Sequence, residues 1–425
     1  MGKTQLKEKI LHKIDHNGHR MLSVISWTAA SIVIGLFVGA FATAFGLAMK
    51  YIIHTRESHP YLIYFLPVGA VIITFIYQKI LKVKDSGTNT VIAAIQSDEH
   101  LPFRLAPLIF IATLITHLVG GSAGREGAAL QMGGAIGSGI GHILKLNQTD
   151  KKTMIMCGMS AAFSALFGTP MAAAIFSMEV ISVGIMHYAA LVPCVISSLV
   201  ARAVASYFGL GAEEYIISYI PAFNIKNAIV ICIFAVLCGL VSILFCMFMH
   251  KYEEVLSDQL KNPYIKAVVG GTSVLVLTLL VGNQTYNSTG SAVIASCFTG
   301  ADIGLEAFLL KIIFTTFTLS CGYKGGEIVP TLFIGATFGT AMGAYLGLPA
   351  SLLAAVGMGS LFCGVTNCPI SSLLICFELF GYEPMPYFLL AVAFSYWVSG
   401  YFGLYKSQKI VYSKYRSNYI DKHVQ

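Results

Sequence analysis

Gly120-Gly121-Ser122-Ala123-Gly124-Arg125-Glu126-Gly127-Ala128-Ala129 sets an arginine–glutamate pair in a bed of glycines between two uncharged runs. A charge at membrane depth is expensive and is functional by default. The residues that follow, Leu130-Gln131-Met132-Gly133-Gly134-Ala135-Ile136-Gly137, read as a helix. A helix start offers several unpaired N–H groups and the positive end of a dipole, so it attracts anions. A carboxylate placed there is itself a candidate occupant of the anion site. The residues alone leave a second reading open, a breakpoint between two buried helices with Arg125 and Glu126 paired to each other.

Working outward, the 425 residues are 56% hydrophobic and 11% charged, with a mean hydropathy of +0.74. A soluble domain carries about twice that charged fraction. Residues 21–49, 60–78, 105–124, 153–178, 227–250, 267–301 and 328–377 contain no Asp, Glu, Lys or Arg. A helix spans with roughly 20 apolar residues, so an all-α polytopic membrane protein with on the order of ten or more membrane helices is expected. Residues 21–49 are too long for a cleaved signal core and are expected to be retained.

The net charge of +7 is not a nucleic-acid signal, because it gathers at the ends: Lys3, Lys7, Lys9, Lys13 and Arg20, then Lys406, Lys409, Lys414, Arg416 and Lys422. The positive-inside rule makes both termini cytoplasmic in a plasma (inner) membrane protein, with Lys79, Lys82 and Lys84 marking another inner loop. The ten cysteines are scattered through apolar runs with no metal-ligand spacing, so they read as buried thiols, and no cofactor or metal is expected.

Residues 1–20 read as a polar N-terminal segment, a candidate surface helix. Residues 88–95 form a short apolar helix that cannot cross alone, a re-entrant element whose Thr88 and Asn89 serve as caps or as polar groups at an inner mouth. Residues 163–170 break the helical pattern, and a second Gly-rich break follows at Gly322-Tyr323-Lys324-Gly325-Gly326-Glu327-Ile328-Val329-Pro330. Spans are expected at 187–208, 226–250, 265–281 and 386–404.

The halves repeat. Leu130, Gly133 and Gly137 recur as Leu332, Gly335 and Gly339, and Phe163, Pro170 and Glu179 recur with the same internal spacing as Phe362, Pro369 and Glu378. Weak internal symmetry with paired broken helices points to a transporter whose site lies near the bilayer midplane. The expected organisation is an N-terminal segment 1–20, membrane repeats 21–220 and 221–405, and a cytoplasmic tail 406–425.

These residues resemble the CLC family of anion channels and anion/proton exchangers. That family's three anion-site motifs, written GSGIP, GREGP and GxFxP, correspond in order and spacing to Gly87-Thr88-Asn89-Thr90-Val91, Gly124-Arg125-Glu126-Gly127-Ala128 and Gly326-Glu327-Ile328-Val329-Pro330. Tyr405 stands where the family's anion-binding tyrosine stands. The resemblance covers nearly the whole chain. It implies a CLC-type inverted repeat of transmembrane and half-spanning helices, a homodimer with one pore per subunit, and no cytoplasmic regulatory domain. The departures are specific: the first motif lacks Ser-Gly-Ile-Pro, the second ends in Ala128, and the third carries Glu327. The inner proton-relay glutamate of chloride/proton exchangers is replaced by Val180. Glu327 in a Gly-Gly-Glu is similar to the bacterial fluoride/proton antiporter branch, although Thr88 stands where that branch often has Met.

On that resemblance Glu126 is the gating glutamate, coupling proton and anion flux by competing for one site, and Glu327 is a second proton-handling or fluoride-facing group. For Glu327 two other readings remain: capping the helix start, and pairing with Lys324. The anion is expected on backbone N–H groups of Glu126, Gly127, Ile328 and Val329, with Thr88 and Tyr405 as hydroxyl donors. Glu179 and Glu378 read as helix-end carboxylates, and Arg202 and Lys311 as snorkelling or paired. Fluoride is small and strongly hydrated, so close amide and hydroxyl donors in a dry site suit it. The function implied is fluoride export coupled to proton import across the lipid bilayer. The alternatives are a chloride/proton exchanger, a passive chloride channel or, from another class, an intramembrane hydrolase using Ser122 and His117.

Overall fold

The computed structural model describes residues 3–81, 85–97, 99 and 101–425, with side chains described from residue 23 onward apart from residue 81. The reading of Lys82 and Lys84 as an inner-loop mark, and the side chains of residues 3–20, lie outside the described residues. Helix α1 (Lys3–Ser58) contains no proline, so the polar N-terminal segment runs without a break into the first span and forms no separate surface helix. Next come α2 (Leu66–Ile76), α3 (Thr88–Gln96), α4 (Leu105–Leu118), α5 (Glu126–Ile143), α6 (Gln148–Phe167), α7 (Pro170–Glu179) and α8 (Leu191–Tyr207). The second half holds α9 (Ile225–Gln259), α10 (Pro263–Val281), α11 (Ser291–Phe298), α12 (Glu306–Ser320), α13 (Ile328–Leu346), α14 (Ala350–Thr366), α15 (Pro369–Phe380) and α16 (Met385–Val398). Among the described residues, six helices are long and apolar enough to cross a bilayer, and four shorter apolar helices accompany them. The protein is an all-α polytopic membrane protein of full and partial spans.

The two halves pack alike. A Cβ on Gly133 would stand 2.1 Å from the carbonyl oxygen of Gly158, and one on Gly335 would stand 2.4 Å from that of Gly357. These α5–α6 and α13–α14 contacts are backbone on backbone. Lipid gives no hydrophobic drive for helix pairing, so close van der Waals approach over small residues takes its place. Both second helices end the same way. Gly168 (φ 84°) closes α6 and Asn367 (φ 60°) closes α14, and two residues later Pro170 and Pro369 open α7 and α15. The break expected across 163–170 is therefore confined to Gly168-Thr169. Phe163 and Phe167 remain helical because their rings pack against each other, and Phe163 also meets Phe176.

Glu179 and Glu378 join these paired helices reciprocally. The Glu378 carboxylate accepts from the N–H groups of Met171 and Ala172, both at 2.9 Å, at the start of α7. The Glu179 carboxylate accepts from Ile370 N (3.1 Å), Ser371 N (2.8 Å) and the Ser371 hydroxyl at the start of α15. Each helix ends in the anion that caps the other, so the helix-end reading of both residues holds.

Other expectations are corrected. Helix α9 runs on to Gln259, well past residue 250. The last span stops at Val398, where Ser399 and Gly400 (φ 57°) unwind the chain. Within residues 406–425, β2 (Lys409–Tyr412) pairs in parallel with β1 (Ser182–Val183) and antiparallel with β3 (Tyr419–His423). Lys311 does not snorkel, and among the described residues it has no ion-pair partner. It is fully buried, its ammonium donates to the carbonyls of Tyr286 (3.1 Å) and Ser288 (2.9 Å), and it lies 4.9 Å from the Phe333 ring centre. Arg202 donates to the Leu210 carbonyl.

Candidate anion site

The two Gly-rich breaks face each other. Gly124 N donates to Gly326 O at 2.6 Å and Gly326 N to Gly124 O at 2.8 Å, an isolated antiparallel bridge. The starts of α5 and α13 are thereby clamped together, and the first-turn N–H groups of both helices lack partners within their own helix. Surrounding loops hold the clamp. Asn287 Nδ2 donates to Gly120 O (2.8 Å), Ser288 N to Gly121 O (3.1 Å), and Ser122 N to Thr318 Oγ1 (3.0 Å). His117 contacts Ser288 Oγ at 2.9 Å, while Ser122 Oγ meets Thr315 Oγ1 at 3.1 Å. Ser122 and His117 thus have separate partners, and the nucleophile–base pair of a hydrolase does not form.

Beside the clamp, a Cβ on Gly127 would meet Gly326 Cα at 2.7 Å, Glu327 Oε2 at 3.2 Å and Thr88 Oγ1 at 3.2 Å. Among the described residues both oxygens are buried without a hydrogen-bond partner, as are Tyr405 Oη and Gln131 Oε1. An unpaired buried polar group costs about 1–3 kcal/mol. Several at one place mark a site built for a small polar ligand.

Four elements assemble this cluster. Gly87 (φ 68°) turns the chain into α3 and places Thr88 at its first position. Gln131 lies one turn after Gly127 on α5, with Nε2 3.6 Å from where a Cβ on Gly87 would be. Glu327 precedes α13, where its side chain makes no capping bond. Lys324 pairs instead with Asp85 (2.8 Å) and lies 4.4 Å from the Tyr77 ring centre, so neither the capping nor the Lys324-pairing reading of Glu327 is met. Tyr405 is brought in by the segment after α16. Leu404 N donates to Val365 O (2.8 Å) and Ser407 N to Asn89 Oδ1 (2.9 Å), which ties that segment to the first turn of α3.

Glu126 opens α5 and is fully buried. Its Oε1 accepts from Arg125 Nε and its Oε2 from Arg125 N, both at 3.1 Å. The Arg125–Glu126 pair expected on one reading is therefore present in this conformation. Arg125 Nη2 also donates to Glu213 at 2.5 Å.

A cavity of about 830 Å³ leads to the cluster. Gly87, Asn89, Gln131 and Glu327 line it, and so do Glu253 and Lys406, an exposed ion pair at 2.8 Å. Helix α9 ends beside this mouth, and at 1.5 Å per residue its 35 residues cover about 50 Å. The 209–224 connection that carries Glu213 precedes α9 and so lies at the opposite face. The structure brings together Thr88, Gly127, Glu327 and the motif glycines Gly124 and Gly326, with Ile328 and Val329 in the first turn of α13.

Three residues in or next to the site were not singled out from the sequence. Gln131 left a signal, an amide one turn beyond Gly127 in an uncharged glycine-rich helix. Asp85 caps the turn into α3 and holds Lys324, yet in the sequence it merely closes a polar loop. Glu213 left none, since its contact with Arg125 spans 88 positions.

The family model described as Voltage gated chloride channel matches residues 69–400. A chloride/fluoride channel protein of Pseudomonas syringae pv. tomato is 32% identical over 398 residues, 92% of this chain and 88% of the relative. A voltage-gated ClC-type chloride channel, ClcB, of Escherichia coli is 28% identical over 328 residues, 74% of this chain and 77% of the relative. The crystal structure of a CLC-type fluoride/proton antiporter superposes with a TM-score of 0.88 at 31% identity, covering 91% of this chain and 98% of the other. A slow cyanobacterial Cl⁻/H⁺ antiporter shares the fold, with a TM-score of 0.76 at 18% identity over 88% of this chain and 94% of the other. With its two clamped helix starts and a match extending over most of its length, the chain belongs to the voltage gated chloride channel (CLC) family.

Proposed function

We propose that the protein exports fluoride in exchange for protons, with Glu126 as the gate. The observation that carries this reading is the meeting of Thr88 Oγ1 and Glu327 Oε2, both unpartnered, beside Gly127 where two helix N-termini are clamped. The similarity to a fluoride/proton antiporter supports the choice of ion.

In this reading the halide enters from the cavity and exchanges its water for the N–H groups of Gly127, Ile328 and Val329. The Thr88 and Tyr405 hydroxyls and the Gln131 amide complete the shell. A dry site strengthens every one of these bonds. Ionised Glu126 competes with the halide for the helix starts, and protonated Glu126 yields to it, so one side chain couples the two fluxes. Glu327 handles a proton within the same shell, because a carboxylate facing fluoride is tolerable when protonated and donating. Glu126 and Glu327 are thus the proton-coupling pair, and Thr88, Gly127, Ile328, Val329 and Tyr405 the anion ligands. Gly87, Gly124 and Gly326 shape the backbone around them.

The cationic C-terminal segment beside the cavity mouth supports a cytoplasmic vestibule and cytoplasmic termini in the inner membrane. A homodimer with one pore per subunit fits the family.

The test is efflux from proteoliposomes loaded with fluoride or chloride, with internal pH followed in parallel. Fluoride should leave with proton uptake, and chloride far more slowly. Glu126→Gln should abolish the proton signal. Proton-coupled transport that survives Glu126→Gln, or a preference for chloride, would overturn the assignment.

A further inference from the structure

Arg125 has two carboxylate partners, and they differ in exposure. The Glu126 side chain is 0% exposed and the Glu213 side chain 21%, with the Arg125 side chain at 10% between them. Three charges therefore run inward from the face opposite the cavity in the order Glu213, Arg125, Glu126. Glu213 is held firmly. Its N–H donates to Phe167 O (3.5 Å), the Tyr215 hydroxyl donates to its Oε2 (3.3 Å), and Tyr215 N donates to Leu379 O (3.1 Å). The Tyr215 ring stacks on Phe298 at 5.0 Å, which fixes the loop between α8 and α9 over the start of α5.

An arginine stays protonated in proteins, so a buried one needs an anion at all times. Were Glu126 its sole carboxylate, each protonation or displacement of Glu126 would strand Arg125 without a counter-charge, which is strongly unfavourable. The other ionisable groups near the pair cannot serve: His117 on α4 is a base that itself faces Arg125, Lys311 on α12 and Arg56 on α1, and Tyr215 is a phenol committed to Glu213. We propose that Glu213 is the standing counter-ion of Arg125, a positioning residue that lets Arg125 release Glu126 and so sets how acidic the external solution must be for the gate to open. The proposal rests on Glu126 being the gate. Glu213 touches neither the halide ligands nor the clamp; it acts through Arg125.

The experiment uses full-length protein in liposomes, with fluoride efflux and proton uptake measured across a range of external pH. The variants are Glu213→Gln and Glu213→Asp, each alone and combined with Glu126→Gln. With Glu213→Gln the arginine grips Glu126 alone, and the rising limb of transport should move about one pH unit toward acid, in line with the effect of an adjacent opposite charge. Glu213→Asp keeps the charge at a longer reach and should fall between the two, which keeps the test open should the glutamine variant misfold. In the Glu126→Gln background, replacing Glu213 should change fluoride flux less than twofold. An unmoved pH profile overturns the proposal, and so does an equal loss of flux in both backgrounds, the mark of a merely structural loop. If Glu126→Gln by itself leaves proton coupling intact, the gate assignment fails first. If coupling is lost but Glu213→Gln shifts nothing, only the role of Glu213 fails.

Discussion

Replacing Gly127 by alanine probes the clamp directly. The new methyl carbon would stand 2.7 Å from Gly326 Cα, with Thr88 Oγ1 and Glu327 Oε2 each at 3.2 Å. Carbon atoms rest at about 3.5–4.0 Å, so the two helix starts must part by roughly 0.8 Å or more. The Gly124–Gly326 bonds begin at 2.6 and 2.8 Å, and such an opening carries them to the limit of hydrogen bonding. Overpacking of this kind costs about 1–3 kcal/mol. The methyl also takes space between the two unpartnered oxygens. If that cost falls on the halide-bound state, each 1.4 kcal/mol removes about tenfold in apparent affinity, so a loss of roughly tenfold or more in fluoride efflux is expected. The assay is initial efflux from liposomes by fluoride electrode, after gel filtration in detergent establishes that the variant is monodisperse. Gly211→Ala is the control, because no atom lies within 4 Å of its would-be Cβ. A folded Gly127→Ala protein transporting within twofold of the parent would refute the placement of the anion at the clamp.

Other outcomes follow from the same geometry. Tyr405→Phe removes a hydroxyl that has no protein partner, so melting should be unchanged while fluoride affinity falls; a hydrogen bond to a charge is worth about 1.5–3 kcal/mol. Gln131→Leu removes an amide donor from the cavity lining, and should slow fluoride while leaving the fold intact by circular dichroism. Glu179→Gln weakens the cap on α15 and should cost about 1–3 kcal/mol in thermal stability, yet leave the proton-to-fluoride ratio unchanged; a changed ratio would reinstate Glu179 as a relay.

The class and the location of the two key breaks are legible in the order of residues alone. Uncharged runs exclude a soluble fold, and an Arg-Glu pair between glycines has few structural reasons to exist inside them. The repeat was legible because both halves need glycine at the same close backbone contacts, Gly133 on Gly158 and Gly335 on Gly357. Glu179 and Glu378 were readable as helix-end carboxylates, but their exchange of caps was not, since each bond joins residues about half the chain apart. Tertiary structure alone decided the partners of the charges: Lys324 with Asp85 rather than Glu327, Lys311 on carbonyls, and Arg125 shared with Glu213. Local pattern records which residue is buried by its periodicity, but an ion pair costs no particular spacing. Its two members need only be delivered to one place by helices that meet for other reasons.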